Sequence, residues 1–299
     1  MLNKNRGWQR VLLIIIPYLF VEGIFQIIGM LLVNVDFNNL NSQRTIQQDL
    51  IIHFFDLLGT LLIIWIFMKY IDEENFINIG FKRRNKFHEF IVGVGIGALI
   101  MGGGYFLLWA IDEIEFYHII YFPEKLIKST FLFLIVALAE ETFMRGYVLR
   151  NLMISFNKYI ALFISSLLFS FMHTLNPYID YIGFINIFFA GLVLGGAYVH
   201  TRNLWFPIGL HLGWNLFQTH FGFNVSGQDS YSLVEFNISE SNLLNGGAFG
   251  FEGSVLSIIA QIALFFIIVY YYERKKLTST TPPSRKHANR IMKNYHTSF

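Results

Sequence analysis

Long apolar runs separated by short polar breaks dominate the chain. A membrane-crossing helix needs ~20 mostly apolar residues. Eight runs meet or approach that length: Val11–Val33, Ile51–Ile71, Phe90–Ala110, Leu126–Arg150, Tyr159–His173, Gly183–His200, Leu204–Phe221 and Ser254–Tyr272. The fifth is short, and the fourth and seventh contain polar clusters, so these three are the least visible to hydropathy. The pattern predicts an all-α fold, a polytopic membrane helix bundle with about eight transmembrane helices spanning residues 1–277. Residues 278–299 are polar and basic, include Pro282-Pro283, and read as a disordered cytoplasmic tail.

Loop charge supports this count. Lys and Arg gather before the first run, after the second, after the fourth, after the sixth and beyond the eighth; only Arg44, Lys125 and Lys128 fall in the alternate segments. By the positive-inside rule both termini are expected in the cytoplasm of a multi-pass cell-membrane protein. The first run follows Lys4, Arg6 and Arg10 but lacks a small-x-small cleavage pattern, so it reads as a retained anchor. The segment Gly222–Gly253 has no Lys or Arg and is the longest of the alternate loops, a length that favours a lid or disorder.

Composition narrows the chemistry. The 299 residues are 54% hydrophobic and 14% charged, with a net charge of +2, which gives no electrostatic case for nucleic acid and makes membrane lipid the expected surroundings. No cysteine is present. Disulfides, cysteine catalysis and thiolate metal sites are thereby excluded. Gly-rich patches at Gly93/Gly95/Gly97 and Gly191/Gly195/Gly196 suit close helix packing, with Gly191 and Gly195 read as contacts within the bundle.

Three polar clusters interrupt the apolar runs: Glu140-Glu141-Thr-Phe-Met-Arg145, Phe169-Ser-Phe-Met-His173 and His211-Leu-Gly-Trp-Asn215. An ionisable side chain at the middle of a membrane helix costs about 2.5–3.5 kcal/mol on insertion scales and is retained chiefly where it faces a bundle interior. Glu141 and Arg145, four apart on one helix face, are expected to pair as a structural support. Glu140 is rotated ~100° from Glu141 and left to face a cavity, where a carboxylate without a fixed cation suits a general base. Phe169 reads as core packing beside His173. Imidazoles can orient water, shuttle protons or ligate zinc, and an Asn amide can donate to an oxyanion. Glu22 and Asp56, in the first and second spans, could mark a proton or ion path or serve as helix contacts, and His53, near the start of the second, reads as interfacial.

Two mechanisms fit these residues. Glu140, His173 and His211 could hold a divalent metal such as zinc whose bound water attacks a carbonyl. Alternatively, with no metal, Glu140 and His173 activate water while His211 and Asn215 stabilise the oxyanion. No complete H-E-x-x-H helix, Gly-x-Ser-x-Gly elbow, Walker A loop or Rossmann fingerprint is present.

EExxxR, FxxxH and HxxxN, in this order on successive membrane helices, resemble the CAAX-protease and bacteriocin-processing (CPBP, Abi) family of intramembrane proteases. The matching residues are Glu140, Glu141 and Arg145, then Phe169 and His173, then His211 and Asn215. Gly246–Gly253 is similar to that family's glycine-rich stretch before the last helix. The resemblance implies a protease-like core at 126–272 and peptide-bond hydrolysis of a protein or peptide substrate within the membrane, with Glu140 and His173 on the water, His211 and Asn215 at the oxyanion, and Arg145 restraining Glu141. The family is often labelled metalloprotease, although the non-metal scheme is preferred here. The first two helices lie outside the motifs and are expected to add nothing about substrate. A non-catalytic bacteriocin-immunity or scaffold protein, and a proton-coupled transporter, are the alternatives.

Helix rise leaves a mismatch. At ~1.5 Å per residue, Glu140 lies ~15 Å from Arg150 and His211 ~13 Å from Arg202, but His173 lies ~22 Å from Lys158. A kinked or offset fifth helix is expected to close the gap; otherwise the site opens toward Gly222–Gly253.

Overall fold

The computed structural model describes residues 6–37, 44–82 and 87–280. Residues 281–299, most of the tail read as disordered, lie outside the described residues. The protein is an all-α membrane helix bundle. Its helices are α1 (Gly7–Leu32), α2 (Ile46–Tyr70), α3 (Phe87–Ala110), α4 (Pro123–Glu141), α5 (Arg150–Ser155), α6 (Lys158–Met172), α7 (Tyr181–Thr201), α8 (Trp205–His220) and α9 (Val255–Thr280). A π-helical segment, Thr142–Leu149, joins α4 to α5, so the fourth apolar run forms one helical arm. The helices fall within a few residues of the eight apolar runs.

Five helices are long and apolar enough to cross a membrane by length and composition: α1, α2, α3, α7 and α9. The remaining runs are the three that hydropathy sees least well. On α1, Val11, Ile14 and Tyr18 are buried while Leu12, Ile16 and Phe20 are exposed. In an apolar solvent such outward side chains are in their preferred surroundings, so inside-out patterning by hydropathy is weak.

Close packing instead follows small residues. A Cβ on Gly97 of α3 would sit 2.4 Å from the Trp214 nitrogen, and one on Gly213 of α8 would sit 2.4 Å from the Val94 carbonyl oxygen. These two helices therefore touch backbone to backbone, an arrangement that small residues permit. Gly191 and Gly195 of α7 pack on Ser166 and Leu162 of α6, an intramolecular contact.

One end of the bundle is tied by charge. Asp72, just past α2, meets Arg10 at 3.0 Å and Arg150 at 3.7 Å, and Arg150 reaches Glu74 at 2.5 Å. The other end is capped by Gly222–Gly253, which is neither a free lid nor irregular throughout. Its strand β2 (Val234–Asn237) pairs antiparallel with β1 (Glu115–Ile119) of the α3–α4 link. Tyr231 accepts from the Phe122 amide at 3.0 Å and donates to the Ile120 carbonyl at 2.7 Å. Glu252 clamps the loop to α8: it accepts from the Trp214 indole at 3.1 Å and from the Ser226 amide and hydroxyl at 2.8 Å each.

Candidate active site

The mismatch in depth disappears because the chain turns later than Arg150. After α5 the turn falls at Phe156-Asn157, where the Asn157 side chain accepts from the Tyr159 and Ile160 amides and starts α6. Glu140 precedes this turn by sixteen residues and His173 follows it by sixteen. Counted as α-helix, each lies ~24 Å from the turn. The α7–α8 junction is recessed by contrast. The Leu204 amide donates to the Gly80 carbonyl, and the Leu204 side chain lies against Gly146. Starting at that depth, two turns of α8 bring His211 level with Glu140. No kink in α6 is needed; it ends at Met172, leaving His173 as its C-terminal cap.

The π segment begins directly after Glu141. Such wide turns within α-helices frequently occur at functional sites. All eight of its residues are buried. Within it, the Arg145 guanidinium donates to Glu141 Oε1 at 2.8 Å, with the two side chains 1% and 0% exposed. Arg145 also reaches the Gly191 carbonyl at 3.5 Å and lies 4.3 Å from the centre of the Phe169 ring. Phe169 thus does more than fill the core: its face covers the buried cation and its ring packs against His173 at 4.6 Å.

Glu141 has a second partner that motif spacing did not reveal. His211 Nδ1 lies 3.0 Å from Glu141 Oε1. A carboxylate can only accept, so Nδ1 carries the proton and Nε2 points the other way. There Nε2 is 3.9 Å from Glu140 Oε2. His173 is set in the same manner: its Nδ1 faces the Phe169 carbonyl at 2.8 Å, and its Nε2 stands 3.8 Å from Glu140 Oε2. A carbonyl only accepts, so His173 Nδ1 is the donor and Nε2 is left as an acceptor.

These groups line a cavity of about 780 Å³. Glu140, His173, His211 and Asn215, the four sequence-predicted site residues, all border it. Glu140 is the more open acid, with 31% of its side chain exposed. Arg44, Asp229 and Ser230 also line the cavity, so it extends toward the end of the bundle that carries Gly222–Gly253. Three further contributors come from helices expected to be silent. Tyr18, Glu22 and Asp56 of α1 and α2 line the cavity. The Tyr18 ring stacks on Phe143 at 3.6 Å and thereby joins α1 to the π segment. A long-range stacking contact of this kind has no local sequence signature. His53, read as interfacial, lines the cavity as well and contacts Asp56 at 3.1 Å.

The metal alternative required Glu140, His173 and His211 to gather as ligands. Among the described residues no three His, Asp or Glu side chains are placed to hold a metal ion. The metalloendopeptidase reading therefore has no ligand set among these residues.

Residues 122–217, about a third of the chain, match the model of the type II CAAX prenyl endopeptidase Rce1-like family. The matched stretch contains all three polar motifs, in agreement with the resemblance they carry. No curated protein and no solved structure matches the chain.

Proposed function

We propose that this protein is an intramembrane endopeptidase in which Glu140 and His173 activate water and His211 and Asn215 stabilise the oxyanion. The observation that carries the reading is convergence: Nε2 atoms from two helices approach one oxygen of Glu140, from a third, within 3.9 Å at a deep cavity. The family match supports a CAAX-type peptidase activity at the family level.

In this scheme a water donates hydrogen bonds to Glu140 and to His173 Nε2. As its oxygen attacks the scissile carbonyl carbon, its proton passes to Glu140. The carbonyl oxygen becomes an oxyanion and accepts from the Asn215 amide and from His211 Nε2, which donates when that ring is doubly protonated. Glu141 and Arg145 touch no substrate; Glu141 holds the His211 ring. Collapse of the tetrahedral intermediate breaks the C–N bond, and Glu140 returns the proton to the leaving amine. One water is consumed and two peptides leave.

With termini in the cytoplasm, as loop charge suggests, the cavity opens to the opposite face of the cell membrane. The substrate is then a membrane-embedded or exported peptide that reaches the site past Asp229 and Ser230.

The test is cleavage of a validated substrate by reconstituted protein. Glu140→Ala, His173→Ala and His211→Ala are each expected to lower the rate by about 10²–10⁴-fold. Wild-type cleavage by all three variants overturns the assignment and favours an immunity or scaffold role on the same fold.

A further inference from the structure

Two acids of the cavity take no part in this chemistry and lie outside the family match. Glu22 on α1 and Asp56 on α2 both line the cavity that contains Glu140. Asp56 is 7% exposed. Its Oδ2 is 3.1 Å from His53 Nδ1, while its buried Oδ1 has no hydrogen-bond partner. Glu22 accepts from the Tyr18 hydroxyl at 3.2 Å, and that hydroxyl also lies 3.4 Å from the Thr60 oxygen.

Neither acid pairs with a Lys or Arg among the described residues. The cavity-lining cation Arg44 is already bonded to Asp49 at 2.6 Å. The contrast with the rest of the molecule is informative. Glu141 is buried against Arg145, and Asp72 against Arg10 and Arg150. Glu252, which clamps the loop and has no cation among the described residues, has both carboxylate oxygens hydrogen-bonded, whereas Asp56 Oδ1 has no partner. Buried charges are otherwise paired or functional.

Position points to the substrate. Tyr18 stacks on Phe143, three residues after Glu140, and Glu22 lies one helical turn further along α1. Asp56 lies two turns along α2 from Asp49, which borders the same cavity. We propose that Glu22 and Asp56 form a subsite for a cationic group of the peptide, either a Lys or Arg side chain or a free N-terminal ammonium. This rests on the reading of the cavity as a peptidase site, and it makes α1 and α2 the specificity-determining helices.

The test measures binding rather than cleavage, so that it stands apart from the proposed chemistry. Full-length protein carrying His173→Ala, which prevents turnover in that scheme, is placed in nanodiscs. Fluorescent alanine–leucine peptides differ only at one position, occupied by Lys, Arg or norleucine, and each is made with a free or an acetylated N terminus. The cationic peptides are expected to bind about tenfold more tightly than the norleucine peptide. That preference is expected to fall to within about twofold on adding Glu22→Gln, Asp56→Asn or both. A preference that follows the free N terminus alone identifies the ammonium as the source. Thermal melts of each variant check assembly, and the peptide comparison without these substitutions stands whether or not the double variant folds. Equal binding of all peptides overturns the proposal, as does a preference that survives both substitutions. A rise in melting temperature with calcium or zinc that Asp56→Asn abolishes, in protein that shows no peptide preference, also overturns it in favour of an ion site.

Discussion

His211 Nδ1 is bonded at 3.0 Å to Glu141, the acid adjacent in sequence to the one that faces the cavity. The two neighbouring carboxylates therefore have separable jobs, and substitution separates them. Glu141→Gln leaves Arg145, 1% exposed, without its counter-charge. Breaking a buried pair from one side destabilises by about 3–5 kcal/mol, so a large drop in melting temperature is expected together with loss of activity. Glu140→Gln, at a side chain 31% exposed, is expected to melt near wild type and yet not cleave. Melting curves of the two purified variants check the contrast; equal destabilisation contradicts it.

Close approach of α3 and α8 sets the position of His211 and Asn215. Gly213→Ala places a Cβ 2.4 Å from the Val94 carbonyl oxygen, and rigid backbone cannot yield cheaply. Overpacking of this kind costs typically 1–3 kcal/mol. The helices must part, and His211 and Asn215 ride on the displaced helix. Activity is expected to fall by more than the stability loss explains. Gly95→Ala, on the same glycine-rich stretch but with nothing within 4 Å, is expected to be silent in both measurements.

The motifs were legible because they are local. Residues four apart share a helix face, so the pairing of Glu141 with Arg145 and the turn-to-turn placement of His211 and Asn215 could be read directly. The second partner of Glu141 was not legible, since His211 lies 70 positions away. Depth was misjudged for a related reason. Arg150 looks like a membrane boundary, but it is drawn inward by Asp72 and Glu74, and the turn comes six residues later. The wall built by Tyr18, Glu22 and Asp56 depends on α1 and α2 packing against α4 and its π segment, and lipid-facing helices carry little patterning from which such contacts can be inferred.

The rim of the cavity carries a pH response. Asp229 lies at an exposed position in the loop between α8 and α9, where partial desolvation, reinforced by the Glu235 carboxylate, raises its pKa above the ordinary carboxylate value. A carboxyl raised on folding adds stability that is present below the unfolded pKa and is lost as pH rises through the folded value. Protection of residues 222–253 from hydrogen exchange, corrected for intrinsic rate, is therefore expected to weaken as pH climbs through the range just above the normal carboxylate pKa. Asp229→Asn is expected to flatten that dependence. An unchanged profile in the variant shows that another group is responsible.

Topology can be read without background because the chain has no native cysteine. Ser239→Cys, at an exposed position beside the cavity end, is expected to react with an impermeant maleimide in intact cells. Glu73→Cys, exposed at the Asp72–Arg150 end, is expected to react only after permeabilisation. The reverse pattern places the cavity mouth in the cytoplasm.

The equal arms on either side of Phe156-Asn157 have a consequence for how this chain can change length. Glu140 and His173 each sit sixteen residues from the turn, and eight residues of the first arm form the π segment Thr142–Leu149. Losing one residue from a single arm moves one partner ~1.5 Å along its axis and swings it ~100° around it, enough to aim the side chain at lipid. The hairpin thus works as a pair of matched rulers, and insertions or deletions are tolerable in the surface loops but not between these two marks.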